Sequence, residues 1–507
     1  MKTFRSIILT LALTGIFAGK ILSAADEIPD RPERLAFPTL NYEPPTPENF
    51  RVALKSGPVA YVVPDRTLPL VNITVHVRTG KYLEPVGKEG LAELTGWLLA
   101  HGGAGTNTAE QLEERLAFLA ADLNSEIGDT EGTVTLNLLS KDLDEGLNIL
   151  RDVLYAPRFQ DDKIKLRKEQ MLQEMAQRND NSENIEEREK DFLAFGEKFW
   201  MNQLSTAKSL TAITRKDIET FQHQWFAPEN FVLAVSGDFD RQEMTAKLEK
   251  TFIRQNLYWA KPPPPIPTNT TFAAPGVYLV DKPDVNQGRV AMMLPGIMRD
   301  DPDYFPVMEM NYILGSGGLN SRIMNRVRTD EGLAYSAGSR FSGGIYFPPP
   351  FAAGFQSKSR TVAYAASLIA EEIKRIAAEA VSDDDLQTTK STFIATLPHN
   401  FDTKAEVAEH FADDEFSGRY AKDPQFWKKY KERVNAVSIA DVQRVAKKYL
   451  TPGKLVILAV GNKADILLGH PDHPVKVSDL GNGKVIDLPL RDPLTLKTVT
   501  NKESRKP

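Results

Sequence analysis

An α+β fold of two homologous domains is predicted by three observations. Strand-like runs of period two alternate with longer segments of helical spacing, one stretch repeats at a constant shift, and a run of prolines lies between the copies. At 507 residues the chain exceeds one ordinary core. A composition of 41% apolar and 26% charged residues is that of a globular protein. A net charge of −6 over this length gives no reason to expect nucleic acid or an anionic membrane as partner.

The N-terminus carries Lys2 and Arg5, an apolar run from Ile7 to Phe17 and small residues at Ser23-Ala24-Ala25. This pattern reads as a signal peptide over 1–25, cut after Ala25. The run is shorter than the ~20 residues that span a bilayer, so no membrane insertion is expected after cleavage. Without any cysteine there is neither a disulfide framework nor a lipid-attachment thiol. A periplasmic location follows as the expectation, with secretion as its alternative. Residues 26–47, rich in Pro, Glu and Asn, read as an extended leader.

Strands are expected at Val59–Val63, Leu70–Val77 and Thr133–Leu138. Thr108 is placed to cap a helix running to Leu123, and a charged helix starts at Asp161 or Asp162 and passes through Glu174. The duplication is explicit. Ala212-Ile213-Thr214-x-x-Asp217-Ile218, continuing to Trp225-Phe226-x-Pro228, recurs as Ala436-Val437-Ser438-x-x-Asp441-Val442, continuing to Tyr449-Leu450-x-Pro452. Thr214 and Ser438 read as helix N-caps, each proline ends its helix, and an apolar strand follows each copy. Nearer the start of each half, Asp65, Gly80 and Leu98 correspond to Asp281, Gly296 and Leu314. The domains are therefore expected at 48–258 and 275–468, joined by a stiff proline-rich linker over 259–274. The tail, 469–507, reads as polar and loosely ordered.

The chain is organised around Gly90-Leu91-Ala92-Glu93-Leu94-Thr95-Gly96-Trp97-Leu98-Leu99-Ala100-His101, whose apolar positions fall on helical spacing. This frame resembles the opening helix of the insulinase/pitrilysin-type zinc peptidases. There, Gly-Leu-Ala leads into His-x-x-Glu-His, two histidines on one helix face holding zinc beside a catalytic glutamate. In that frame Glu93 and Trp97 stand at the histidine positions, and Gly96 replaces the glutamate. Glu174 matches the third ligand in spacing and context, but a single carboxylate does not make a zinc site, which takes three protein ligands. Without histidine partners it reads as an exposed helix acid, and Trp97 reads as a core residue. The other histidines do not rebuild the centre: His101 lies two turns beyond Glu93, His470 and His473 sit in a prolyl turn, and His76, His223, His399 and His410 are isolated in sequence.

A second motif, Leu314-Gly315-Ser316-Gly317-Gly318-Leu319-Asn320-Ser321-Arg322, leads to Arg328-Thr329-Asp330-Glu331-Gly332-Leu333-Ala334-Tyr335. Glycines after an apolar helix make a tight loop, and Ser321–Arg328 reads as a short helix ended by Gly332. No Lys-Ser/Thr follows the glycines and no strand precedes them, which argues against a phosphate loop. The Arg-x-x-x-Gly-Leu-Ala-Tyr pattern resembles the second-half signature of the same peptidases, in which arginine and tyrosine face the zinc site across a chamber. The resemblance thus implies two domains, each an antiparallel-rich sheet flanked by helices, facing each other across that chamber.

What the resemblance further implies is a subunit that has lost its zinc half and kept Arg328 and Tyr335. Bacterial relatives of this kind occur as pairs, so zinc is expected in a sibling subunit and none in this chain. Peptide is the expected substrate, added as a strand to a sheet edge. The alternative from another class is an inert peptide-binding or scaffold protein of the same fold. A third possibility is a stand-alone peptidase with a different metal arrangement.

Overall fold

The computed structural model describes residues 31, 41–253, 262–481 and 483–499. The expected signal peptide, the leader except residues 31 and 41–47, the start of the proline linker and the end of the tail lie outside them. Two six-stranded sheets form the framework. The first holds β1 (Arg51–Ala53), β2 (Val59–Pro64), β3 (Leu70–Val77), β4 (Asp122–Ile127), β5 (Gly132–Leu139) and β6 (Phe231–Gly237), in the order β1-β2-β6-β3-β5-β4. The second holds β7 (Gly276–Asp281), β8 (Gln287–Leu294), β9 (Ala334–Arg340), β10 (Phe351–Lys358), β11 (Val456–Gly461) and β12 (Val485–Leu488), in the order β12-β7-β11-β8-β10-β9. The duplication thus extends to topology: β2-β6-β3-β5-β4 matches β7-β11-β8-β10-β9 strand for strand. The pairs β2/β6 and β7/β11 are parallel and the other shared pairs antiparallel.

The repeated sequence builds the same local structure twice. Thr214 and Ser438 cap the helices Arg215–Trp225 and Ile439–Tyr449 through reciprocal bonds with Asp217 and Asp441. Each helix is followed by a strand buried at every position, β6 or β11, which lies in the interior of its sheet. The helix capped by Thr108 stops at Leu119, short of the expected Leu123. Ala120 turns left-handed at φ 49°, which frees Asp122–Ile127 to become the terminal strand β4.

Five helices bear on the functional sites: α1 (Leu91–His101), α2 (Asp161–Ala176), α3 (Ser182–Phe195), α4 (Tyr304–Asn311) and α5 (Lys404–Phe416). Helices α3 and α5 are repeat counterparts, and they are exchanged. From the first half, α3 packs on β8 and β11, where Ile185, Leu193 and Phe195 join Tyr278, Val280, Met293 and Leu458 in one core. From the second half, α5 packs on β2 and β6, with the Phe411 ring 5.8 Å from that of Tyr61. Glu415 on α5 accepts bonds of 2.9 and 3.0 Å from Arg51 and a 3.0 Å bond from the Tyr61 hydroxyl. What covers each sheet on the side of the other half is therefore a packed helix.

The tail departs from expectation. Instead of lying loosely ordered, it adds β12 to the second sheet and then returns to the first half. Asn179 donates to the Arg491 carbonyl at 2.7 Å, Ala207 N–H donates to the Leu494 carbonyl at 2.9 Å, and Leu494 packs on the first core. Its few apolar residues, spaced among charges, suffice because both acceptor surfaces are already built.

In the second half the counterpart of Glu93 is Glu309 on α4. Its side chain is fully buried, and neither carboxylate oxygen has a hydrogen-bond partner among the described residues. Burial pushes the carboxyl up to about 8, against a smaller opposing pull from Lys390. An unfolded glutamate releases its proton near about pH 4.3. The native state therefore holds the extra proton between that value and about pH 8, so stability from this group is full at low pH and falls as pH rises. Glu309→Gln, which mimics the protonated form, should gain thermal stability over the natural chain increasingly from pH 5 to pH 8.5. Paired melting curves check this, and a pH-independent difference would contradict it.

Candidate functional site

Helix α1 buries Leu91, Leu94, Leu98 and Leu99 in the first core, as its spacing predicts. No side chain of its own caps it. Instead the Glu84 carboxylate accepts the N–H groups of Gly90 and Ala92 at 3.1 and 2.8 Å. Burial pushes that carboxyl up to about 7, while the two N–H bonds pull the other way. This fixes the axis on which Glu93, Gly96 and Trp97 stand.

Glu93 projects outward beside Glu174 of α2, and a guanidinium joins them. Arg167, seven residues before Glu174 on the same helix, donates from Nη2 to Glu93 Oε1 at 2.7 Å and from Nη1 to Glu174 Oε1 at 2.8 Å. Its central carbon lies 6.0 Å from the Trp97 ring. Arg167 is largely buried and the two acids are half exposed. The three positions that the resemblance assigns to zinc ligands thus hold two carboxylates and an indole, and a permanently charged cation bridges the acids. This donor set does not fit zinc. There is no nitrogen or sulfur ligand, and a metal ion would have to displace a guanidinium bonded to both acids. Trp97 is half-buried rather than a core residue. His101 stacks on it, ring centroids 4.3 Å apart and planes within 5°, with Nδ1 2.9 Å from the Trp97 carbonyl, so it turns to the indole and not to Glu174.

Gly96 is where α1 meets β4. The Ser125 hydroxyl on β4 donates to the Gly96 carbonyl at 2.6 Å and accepts the Ala100 N–H at 2.9 Å. A Cβ at position 96 would lie 2.3 Å from the Ile127 nitrogen and 2.8 Å from the Glu126 carbonyl carbon. The contact is with backbone, so no side-chain movement relieves it, and a glutamate at this position is excluded unless helix and strand separate.

Arg328 and Tyr335 stand on second-half elements. The short helix Arg322–Met324 passes into a wider turn over Asn325–Asp330, and Gly332 at φ +63° leads into β9. The Ser357 hydroxyl anchors this turn through the Leu333 carbonyl at 2.7 Å. A register shift between Ala334 and Ala337 takes Tyr335 out of the strand ladder and re-aims it. Tyr335 is 86% exposed, and the Arg328 guanidinium lies over its ring at 5.1 Å. Neither side chain makes a hydrogen bond or ion pair among the described residues. Tyr335 thus stands on a terminal strand and Arg328 in the turn that leads to it, while Glu93 and Glu174 belong to first-half helices.

Sequence reasoning missed Arg167 and Glu84. The first was discernible as an arginine two turns before Glu174; the second caps α1 from outside the helix and has no motif. An interior helical glycine replaced by alanine ordinarily gains ~1 kcal/mol. Here the β4 backbone reverses the sign, and overpacking of this kind costs about 1–3 kcal/mol. Gly96→Ala should therefore lower the midpoint of thermal unfolding; a midpoint raised above that of the natural chain would contradict the close approach.

Residues 61–197 match the family model described as insulinase, peptidase family M16, and residues 212–393 match the model described as peptidase M16 inactive domain. An uncharacterized zinc protease of Rickettsia bellii is 24% identical over 371 residues, covering 69% of this chain and 83% of that protein. A probable mitochondrial-processing peptidase subunit beta of Arabidopsis thaliana is 22% identical over 445 residues, covering 83% and 78%. Among solved structures, a peptidase M16 inactive domain from Pseudomonas fluorescens superposes with a TM-score of 0.70 at 21% identity, covering 81% of this chain and 97% of that one. The periplasmic protease PqqL from Escherichia coli superposes with a TM-score of 0.68 at 14% identity, covering 82% of this chain and 45% of that one. With both family models matched in order along the two sheets, the chain belongs to the insulinase family, peptidase family M16.

Proposed function

We propose that this chain is the zinc-free subunit of a heteromeric insulinase-type peptidase of the periplasm, inactive alone. It supplies Arg328 and Tyr335 to the zinc site of a sibling subunit. The observation that carries the reading is the contrast between the two sites. At the positions the resemblance assigns to zinc ligands the acids are tied up by Arg167, whereas Tyr335 is exposed on a terminal strand with the half-buried Arg328 over its ring, and neither makes a hydrogen bond or ion pair among the described residues. The match to an inactive-domain model fits a non-catalytic or partner-dependent peptidase-like protein. A relative named as a subunit supports a sibling, as does a periplasmic neighbour of which this chain spans less than half.

Each residue has a definite task in this reading. The planar guanidinium of Arg328 holds a peptide carbonyl or carboxylate with paired donors. The Tyr335 hydroxyl donates to the oxyanion that forms as the peptide bond is attacked. A zinc ion held by the sibling would supply polarisation of the carbonyl and activation of water. The peptide itself lies as an added strand along a sheet edge. The rival reading, an inert peptide-binding or scaffold protein, is favoured by a Helicobacter pylori relative named a non-peptidase homolog, 25% identical over 347 residues.

Tyr335→Phe separates the two, because it deletes one hydroxyl and keeps the ring. Losing an oxyanion donor typically costs ~10²–10³ in turnover. In the reconstituted pair with a zinc-bearing sibling, Tyr335→Phe should lower kcat by about that factor with a smaller change in KM. Arg328→Lys should also be damaging. Wild-type turnover in both variants, with assembly verified by gel filtration, would leave the scaffold reading.

A further inference from the structure

His76, isolated in sequence, is the centre of a cluster where α5 of the second half meets the first sheet. It stands on β3 with 2% of its side chain exposed. Its Nδ1 lies 2.6 Å from Glu131 Oε1, in the turn between β4 and β5, and 3.8 Å from Asp413 Oδ1 on α5. Its Nε2 lies 3.2 Å from Glu409 Oε1, one turn earlier on α5, yet has no aligned hydrogen-bond partner. The Phe416 ring, 6.0 Å away, packs beside the imidazole.

Three features set this cluster apart from a solvated acidic patch. One donor atom each from His76, Glu131 and Asp413 lies within 4.8 Å of the others, so small side-chain shifts bring all three around one ion. Among the described residues, no lysine or arginine is ion-paired with Glu131, Glu409 or Asp413, and these three carboxylates share the buried His76 imidazole as their ionic partner. Asp413 is 55% exposed, which leaves a path for entry and room for water ligands.

We propose that His76 Nδ1, Glu131 and Asp413 bind a divalent transition-metal cation of the zinc class at the junction of the two halves, with Glu409 orienting the ring from Nε2. A carboxylate on the far nitrogen of a ligating histidine fixes tautomer and ring direction. One imidazole with two carboxylates selects zinc, manganese or nickel over magnesium, and the absence of sulfur argues against copper(I). The site shares no residue with α1 or α2 and stands independently of the proposed function. A bound ion would tie α5 to β3 and to the β4–β5 turn, locking the helix exchange, and would stabilise the fold by mass action.

The test uses the purified chain stripped with chelator, titrated with zinc chloride and with magnesium chloride by calorimetry and thermal unfolding. Zinc should bind saturably at one ion per chain and raise the unfolding midpoint, with no magnesium effect. Because His76→Ala empties a buried position, the decisive variants are Asp413→Asn and Glu131→Gln, which keep side-chain shape. Each should weaken zinc at least tenfold, and Glu409→Gln about tenfold. The His470→Ala/His473→Ala pair should leave binding unchanged. Absence of saturable zinc binding would overturn the proposal, as would affinity retained in Asp413→Asn and Glu131→Gln but lost with His470 and His473.

Discussion

Everything else in this molecule depends on the exchange of two helices. Because α3 covers β8 and β11 while α5 covers β2 and β6, neither half has a complete core without the other. Burying a single large apolar side chain such as Phe411 contributes about 1.5–3 kcal/mol, and the exchange buries a run of them on each side. The Arg51–Glu415–Tyr61 bonds then set the register of α5 against β1 and β2. The tail adds a third crossing, from β12 back to α3, where Arg491 meets the buried Glu189. The halves are thus one unit mechanically as well as by descent.

This arrangement also decides where function can sit. The exchanged helices occupy the middle of each sheet, which leaves β4 and β9 as the terminal strands of the two repeats. Helix α1, which carries Glu93, Gly96 and Trp97, lies against β4, and the turn with Arg328 feeds β9, which carries Tyr335. The duplication has diverged at these equivalent ends. In the first half, Arg167 and the tight Gly96 contact close the site. In the second, a register shift holds the Tyr335 hydroxyl out to solvent, with the half-buried Arg328 guanidinium over its ring.

The sequence showed what is local and periodic. The capping pairs Thr214/Asp217 and Ser438/Asp441, the apolar strands after each proline and the spacing of α1 are short-range features, and all appear as read. What was not legible depends on distant partners. Arg167 reads as one more charge until Glu93, 74 residues away, is beside it. Gly96 reads as a missing glutamate until the Ile127 backbone is seen to fill its space. His76 meets acids from a turn 55 residues on and from a helix of the other half. The tail misled because its order comes from surfaces built elsewhere, which its own composition does not encode.

The central claim, that Tyr335 is presented to a sibling's zinc centre, is tested most directly by proximity. A photocrosslinking phenylalanine placed at position 335 keeps an aromatic ring on the exposed side of β9. Irradiated in the assembled pair with peptide present, it should join this chain to the peptide or to the sibling's His-x-x-Glu-His helix, with mass spectrometry identifying the joined segment. Crosslinks confined to this chain, in a pair that is assembled and cleaving peptide, would place Tyr335 outside the active site and contradict the account.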